Sequence, residues 1–92
     1  LMLAEKNVTR DDAYYVVAHL VRSVSALNQV IFALNEQYCI NEKKAVKMID
    51  TFQIHPDHYK DNVNAIFSLA GTDLSEACHQ LKKLTDEVNS LL

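Results

Sequence analysis

The stretch between Asp12 and Glu36 limits most strongly what this chain can fold into. Its 23 residues contain a single formal charge, Arg22. Apolar side chains recur along it in steps of three and four, which is the period of a helix; they are Tyr14, Val17, Leu20, Val21, Val24, Leu27, Ile31, Leu34 and Tyr38. A helix of this length extends about 35 Å. Because it is apolar nearly all round, we expect it to be buried on several sides.

The same run is long enough to span a membrane. Against that interpretation, His19, Arg22, Asn28 and Gln29 lie near its middle. A charged arginine at the centre of a membrane helix costs about 2.5–3.5 kcal/mol on insertion scales. We therefore expect the central helix of a soluble domain and no membrane partner.

Start and stop signals divide the rest of the chain into three shorter helices. A single glycine and a single proline in 92 residues leave few turn signals, which favours long helices. The start signals, in chain order, are Thr9 with Asp12, Asn41, Pro56, and Asp73 with Glu76. The sequence predicts the last three helices near 42–53, 56–70 and 73–91, and Gly71 as the stop between the last two.

Short connections between helices favour antiparallel neighbours. We therefore expect an all-α fold, a four-helix up-and-down bundle with a long, buried first helix. The length fits one helical domain over residues 1–92. The chain does not begin with Met, so we also expect it to be a fragment of a longer protein.

Charge and cysteine content exclude several classes of function. The formal net charge is −3 and the nine Lys and Arg residues are scattered, which is not the pattern of a nucleic-acid-binding surface. Cys39 and Cys78 form neither a disulfide framework nor a paired zinc-ligand spacing. They indicate reduced thiols, and no signal peptide is evident. We expect a cytoplasmic protein that binds no nucleic acid.

The segment His55-Pro-Asp-His58 offers imidazole and carboxylate groups that could bind a metal ion. No third ligand is fixed by spacing, however, and polar residues favour a helix start without any metal. We favour the structural interpretation and predict no metal site. Cys39 has no base spaced to activate it. No phosphate-binding loop, paired catalytic carboxylates or serine triad is present, so we predict no catalytic residue.

Polar side chains on the first helix have two interpretations each. Arg22 and His19 could contact a ligand or phosphate, or Arg22 could form an internal ion pair with an acidic residue of a later helix; we favour the ion pair. Asn28 and Asn35 share one helix face because they are seven residues apart. They either fix the packing register or bind a polar ligand, and we favour the register.

The segment VIFALNEQYCINEKKAVKMIDTF, residues 30–52, resembles the C-terminal helical domain that follows the catalytic domain in bacterial nucleotidyltransferases of the DNA polymerase beta superfamily. The shared elements are a long helix ending in Ala33-Leu34-Asn35, the aromatic Tyr38, and a second helix that opens with Glu42-Lys43-Lys44. The segment covers 23 residues, and the helix pattern extends over most of the chain.

This resemblance implies a non-catalytic role. In that family the catalytic domain carries Gly-Ser and Asp-x-Asp motifs and transfers a nucleoside monophosphate from a nucleoside triphosphate with magnesium. Those motifs are not present here, so the chain would be the helical module alone, with no cofactor of its own and a catalytic domain of the same parent chain as its partner. The residues that would help to form the acceptor-substrate cleft are Asn35, Tyr38, Glu42, Lys43 and Lys44. For the last three, a solvated first turn is the alternative.

A second hypothesis needs no parent enzyme: a stand-alone helical interaction module that dimerises through its first helix. The predicted domain or homodimer interface, which points away from the seam through residues 17, 24 and 31, is Tyr14, Val16, Val30 and Phe32. A relative of the helical ribonuclease toxins is a third option, but the chain lacks their Arg-x(4–6)-His signature.

Overall fold

The structure is a computed structural model that describes residues 13–38 and 42–92, with side chains from 14 to 38 and from 44 to 92. These residues form four α-helices and no strand: α1 Ala13–Leu34, α2 Glu42–Ile49, α3 Tyr59–Ala70 and α4 Leu74–Asn89. The prediction of an all-α fold is confirmed for this part of the chain. The start signals at Thr9 and Asn41 lie outside the described residues.

Each helix packs mainly against two others. Helix α1 contacts α2 and α4, and α3 contacts the same two, with the most extensive contact between α3 and α4. The molecule measures 40 × 25 × 19 Å. The four helices share one core, whose buried side chains are Val16, Leu20, Val24, Leu27, Ile31, Phe32, Ala45, Ile49, Tyr59, Val63, Ile66, Ala77, Cys78, Leu81, Leu84 and Val88.

Helix α1 is buried on one side. Its core-facing seam is Val16, Leu20, Val24, Leu27 and Ile31. The span Tyr14–Leu34 has a mean hydropathy of 1.4, yet only 39% of its most apolar stretch of 18 residues is buried. In the part of the chain that the structure describes, α1 is therefore not buried on several sides as expected. Among the described residues, α1 is also the one helix that is long and apolar enough to cross a membrane, although core helices of soluble proteins meet the same criteria.

A hydrogen-bonded turn ends α1 without a glycine. The backbone of Glu36 has a φ of 56°, which is the left-handed region. The Glu36 N–H donates to the carbonyl of Ala33 at 3.0 Å, and the Gln37 N–H donates to that of Phe32 at 2.9 Å. This pair of bonds is the Schellman motif, which satisfies the last carbonyls of a helix. It explains why the apolar run stops where it does.

Helix α2 is shorter than predicted. It ends at Ile49 and not near residue 53, because the chain turns there. The N–H groups of Thr51 and Phe52 donate to the carbonyls of Met48 and Ile49 at 2.9 and 3.0 Å. The Thr51 hydroxyl also donates to the Met48 carbonyl, at 2.6 Å, and such side-chain bonds compete with helix continuation.

Helix α3 begins three residues later than Pro56, so Pro56 is not in its first turn. The reason is His58, which has a φ of 55° and a ψ of 39° and cannot belong to a right-handed helix. The start is stabilised from a distance instead. The N–H groups of Tyr59 and Lys60 donate to the two carboxylate oxygens of Asp50, each at 3.1 Å.

Helix α4 begins as the sequence predicts. The carboxylate of Asp73 accepts a hydrogen bond from the Glu76 N–H at 3.1 Å, which is an N-cap interaction. Gly71 ends α3 as predicted, but with a φ of −86°, so its freedom to adopt positive φ is not used.

Candidate functional site

Asn28 is the one buried polar residue that lies within the described core. It is 3% exposed, and its Oδ1 accepts a hydrogen bond from the Tyr59 hydroxyl at 2.7 Å. This bond joins α1 to α3. It supports the interpretation that Asn28 fixes the packing register.

Asn35 also serves the fold. Its Nδ2 donates to the carbonyls of Ile31 at 2.8 Å and Ile54 at 2.7 Å. Its Oδ1 accepts from the Ile54 N–H at 2.9 Å. The amide therefore ties the end of α1 to the connection between α2 and α3, with both of its N–H donors used. This engagement gives a substrate little of the Asn35 amide to bind.

The other predicted cleft residues are less constrained. Tyr38 is 91% exposed, and Lys44 is exposed at the start of α2. The side chains of Glu42 and Lys43 lie outside the described residues. The prediction that these four rim an acceptor-substrate cleft stays a prediction.

A cavity lies at the carboxyl end of α1. It has a volume of about 370 Å³, and its lining residues are Gln29, Ala33, Glu36, Gln37 and Tyr38. Of these, Tyr38 was predicted from the sequence and the other four were not. The four-residue step from Gln29 to Ala33 places both on one helix face. The left-handed backbone of Glu36 brings the carboxylate side chain to the same cavity.

The predicted interface residues separate into two groups. Tyr14 is 90% exposed, whereas Val16 and Phe32 are 1% and 2% exposed. Val30 is partly buried against the core. Phe32 packs edge-on against Phe52, with ring centroids 4.9 Å apart. Val16 and Phe32 were therefore misplaced. The core-facing seam begins at residue 16 and not 17, which turns Val16 inward, and Phe32 is covered by Phe52 from the connection after α2.

The solvent side of α1 carries few charges. We call it the outer face and define it by its exposed residues Tyr15, Arg22, Ala26, Gln29 and Ala33. The half-buried Ala18 and Ser25 lie between them. Arg22 supplies its only formal charge, and most of its other side chains are small. The outer face runs directly into the cavity, since Gln29 and Ala33 belong to both.

Arg22 does not form the predicted internal ion pair. It is exposed, and the only ion pairs among the described residues join His55 to Asp50 and His58 to Asp61. Solvent hydrates its guanidinium, so no buried carboxylate is required.

His19 has a buried Nε2 with no hydrogen-bond partner. Burial lowers the pKa of His19 below its usual 6.5, and nearby positive charges, that of Arg22 among them, act in the same direction. A neutral imidazole is therefore favoured at this position in the folded chain.

The histidines at residues 55 and 58 do not converge on a metal site. No group of three His, Cys, Asp or Glu side chains among the described residues is placed to hold a metal ion. His55 Nδ1 lies 2.8 Å from the Pro56 carbonyl, and His58 lies 4.0 Å from Asp61 on the surface. Both contacts lie at the start of α3.

Two other depressions are present, and the cavity at the end of α1 resembles them in that exposed side chains line it. One lies along α4, at about 400 Å³, and one beside the start of α3, at about 570 Å³. Neither holds a buried polar atom that lacks a hydrogen bond. The cavity at the end of α1 differs because it continues an apolar helix face.

Comparison with protein-family models, curated proteins and solved structures gave no match.

Proposed function

We propose that this chain is a helical interaction module whose outer face of α1 packs against a helix of another domain or subunit. One observation carries the proposal. The span Tyr14–Leu34 has a mean hydropathy of 1.4, but only 39% of its most apolar stretch of 18 residues is buried. Contiguous apolar surface left exposed on a small domain usually marks a contact site.

The composition of the outer face fits a helix as the partner. Ala18, Ser25, Ala26 and Ala33 are small, and small side chains let two helix backbones approach to about 8 Å. The exposed side of α4 differs, because Lys82, Lys83 and Asp86 give it charges of both signs. Charged side chains of this kind are depleted from the centres of protein interfaces.

We also propose that the four helices form an up-and-down bundle. Contacts that run from α1 to α2, α3 and α4 and back to α1 support this arrangement. The connection between α3 and α4, residues 71–73, is short enough to favour antiparallel neighbours. In this proposal α1 becomes buried on several sides once its partner is bound.

Site-specific photocrosslinking tests the interaction surface. Ala26, on the outer face, is replaced by p-benzoylphenylalanine in one variant, and the exposed Lys82 of α4 is replaced in a matched control. Both are expressed in the source cells and irradiated. We expect a discrete covalent adduct from position 26 and none from position 82.

Equal adducts from both positions, or none from either, would contradict the interaction module. Flotation with phosphatidylcholine vesicles provides a second measurement. If the chain floats with the vesicles, and an Ala26→Glu variant does not, the outer face contacts lipid and the proposal of a protein partner is wrong.

A second function, as the helical domain of a nucleotidyltransferase, is favoured by the cavity at the end of α1. The cavity places Tyr38 and Glu36 beside an acceptor-sized space of about 370 Å³, near the turn that carries the family resemblance. In this proposal the outer face packs on the catalytic domain of the same cytoplasmic, bacterial parent chain. That domain would supply magnesium and the nucleoside triphosphate.

The parent reading frame tests this second proposal. A Gly-Ser and Asp-x-Asp domain encoded upstream, together with transfer activity that falls when Tyr38 is replaced by alanine in the full chain, would support it. An in-frame stop codon directly upstream would refute it.

A further inference from the structure

Arg22 on the outer face and Glu36 in the cavity are equally far from Gln29 in sequence. Arg22 lies seven residues before Gln29 and Glu36 seven residues after it. Neither forms an ion pair among the described residues. Arg22 lies 12 positions before Leu34, the end of α1, which is about 18 Å of helix, so Arg22 cannot reach Glu36 of its own chain.

The cavity at the end of α1 has the chemistry that recognises a guanidinium group. Glu36 offers a carboxylate, the preferred partner of arginine. Gln37 brings an amide group to the same cavity. Tyr38, 91% exposed, can stack its ring on a cation. These groups are present at one end of the outer face, and an unpaired arginine is present on the same face.

We propose that the partner of the outer face is a second copy of this chain, bound antiparallel with the two-fold axis at Gln29. Arg22 of each copy then enters the cavity of the other and pairs with its Glu36. Each cavity then receives an arginine that cannot reach it within its own chain. This inference rests on the proposed interaction module and names its partner.

The same register brings small side chains together. Ser25 of one copy faces Ala33 of the other, because the two positions are equally far from Gln29. Antiparallel packing also places the helix dipoles in opposite directions, which is favourable. No buried charge is left unpaired in this arrangement.

The size of the contact predicts a moderate affinity. Helix α1 has 22 residues, about 33 Å of length. One helix face from each copy gives an interface at the small end of the range for specific complexes, about 1,200 Å² in total. We therefore expect a micromolar dissociation constant that weakens with added salt, because two ion pairs contribute.

Charge exchange tests the pairing. Sedimentation equilibrium of the purified chain, from about 1 to 100 µM, measures the dissociation constant for the wild type, Arg22→Glu, Glu36→Arg and the double variant. Each single change replaces two attractions by two repulsions, so we expect weakening of about tenfold or more. The double variant restores the pairs with reversed signs, and we expect its dissociation constant within about threefold of wild type. Lys82→Glu is the control, with the same change of charge on α4.

A cysteine on the two-fold axis tests the register. In a Cys39→Ser background, with Cys78 buried, Gln29→Cys is expected to form an intermolecular disulfide under mild oxidation. Lys82→Cys in the same background is expected not to. Circular dichroism of every variant confirms that the helices remain folded.

Three results would overturn the dimer: a wild-type chain that remains monomeric at 100 µM, a dimer equally stable in Arg22→Glu and Lys82→Glu, or a double variant no tighter than the singles. These results can be distinguished from a failure of the interaction module itself. If photocrosslinking from Ala26 captures a different protein while the purified chain is monomeric, the module stands and the second-copy assignment is wrong.

Discussion

At the scale of single residues, two positions have a backbone conformation that their residue type disfavours. Glu36 and His58 have positive φ, whereas the only glycine in the sequence, Gly71, has a φ of −86°. A side chain with a Cβ in the left-handed region costs about 1 kcal/mol relative to glycine. The chain keeps a carboxylate at position 36 in spite of this cost, and the proposed pairing with Arg22 gives that carboxylate a role.

Glycine at position 36 is expected to stabilise the monomer. Glu36→Gly relieves the strain of the left-handed backbone, while Glu36→Ala removes the same charge and keeps the strain. We expect Glu36→Gly to unfold with a free energy about 1 kcal/mol higher than Glu36→Ala, less the greater entropy of glycine in the unfolded chain. Urea titration at about 1 µM, below the expected dimer dissociation constant, measures both. Equal stabilities would show that position 36 is not strained.

The half-buried imidazole of His19, whose Nε2 is buried, predicts a dependence of stability on pH. Because folding lowers the pKa of His19 from its usual 6.5, the unfolded chain binds this proton more readily. The free energy of unfolding therefore falls as the pH drops below about 6.5 and stops falling below the folded-state pKa. His19→Leu removes the proton-binding group and a buried nitrogen without a partner. We expect it to gain about 1 kcal/mol at pH 7, and more at pH 5.5.

Urea titrations of wild type and His19→Leu between pH 5 and 8 measure this difference. His79→Leu, at an exposed position of α4, is the matched control and is expected to follow the wild type. A His19→Leu profile parallel to wild type would contradict the prediction.

At the scale of elements, the connection between α2 and α3 is held by side chains from both of its flanks. The side-chain amide of Asn35 forms hydrogen bonds with both the backbone N–H and the backbone carbonyl of Ile54. Asp50 holds the first turn of α3. Amide and carboxylate groups thus replace the regular backbone bonds that a loop lacks, and residues 50–58 are ordered by interactions across sequence distances of 9 to 19 residues.

Removing the Asn35 amide is expected to loosen this connection. Asn35→Ala deletes two hydrogen bonds to Ile54 and one to Ile31, and we expect a loss of about 2 kcal/mol. The amide hydrogen of Ile54 is expected to exchange faster with solvent, while those in the middle of α4 keep their relative protection. Asn62→Ala is the control, because Asn62 makes a single longer bond in the same region, 3.3 Å to the Asp57 carbonyl. Unchanged exchange of the Ile54 amide hydrogen would show that Asn35 does not stabilise this connection.

The elements that were predictable from sequence are those with local signals. The start of α4 follows from Asp73 and Glu76, three residues apart, so the prediction near 73 agrees with the observed Leu74. The start of α3 was missed because its cap, Asp50, lies nine residues upstream of Tyr59. At the candidate site, Tyr38 stood out as an aromatic at a helix break. Gln29 and Ala33 did not, because in a helix with so few charges the sequence does not show which side is left exposed.

At the scale of the whole molecule, one buried hydrogen bond joins two helices that do not pack extensively. The main contacts of α1 and α3 are with α2 and α4. The Tyr59 hydroxyl nevertheless reaches Asn28 at 2.7 Å, and both residues are buried. A polar bond inside an apolar core permits few alternative packings, since a shift of either helix breaks the bond.

Removing the Tyr59 hydroxyl is expected to destabilise the whole fold. Tyr59→Phe keeps the ring and leaves Asn28 Oδ1 without this donor, so we expect a loss of about 1–2 kcal/mol. Tyr15→Phe, at a half-exposed position, is the control and is expected to change stability by less than about 0.5 kcal/mol. Urea titration measures both variants. Equal effects would show that the bond does not contribute to stability.

Helices α3 and α4 are capped by residues at different distances along the chain, and this difference affects the order in which they fold. Helix α4 has its cap within its own sequence, at Asp73, so it can nucleate as soon as those residues meet. Helix α3 depends on Asp50, and its first turn gains that carboxylate only after the loop before it has closed, which costs entropy. We therefore expect a peptide of residues 71–92 to be more helical in isolation than one of residues 56–71, as measured by circular dichroism. The carboxyl-terminal helix would then form early and provide the surface on which the remaining helices assemble.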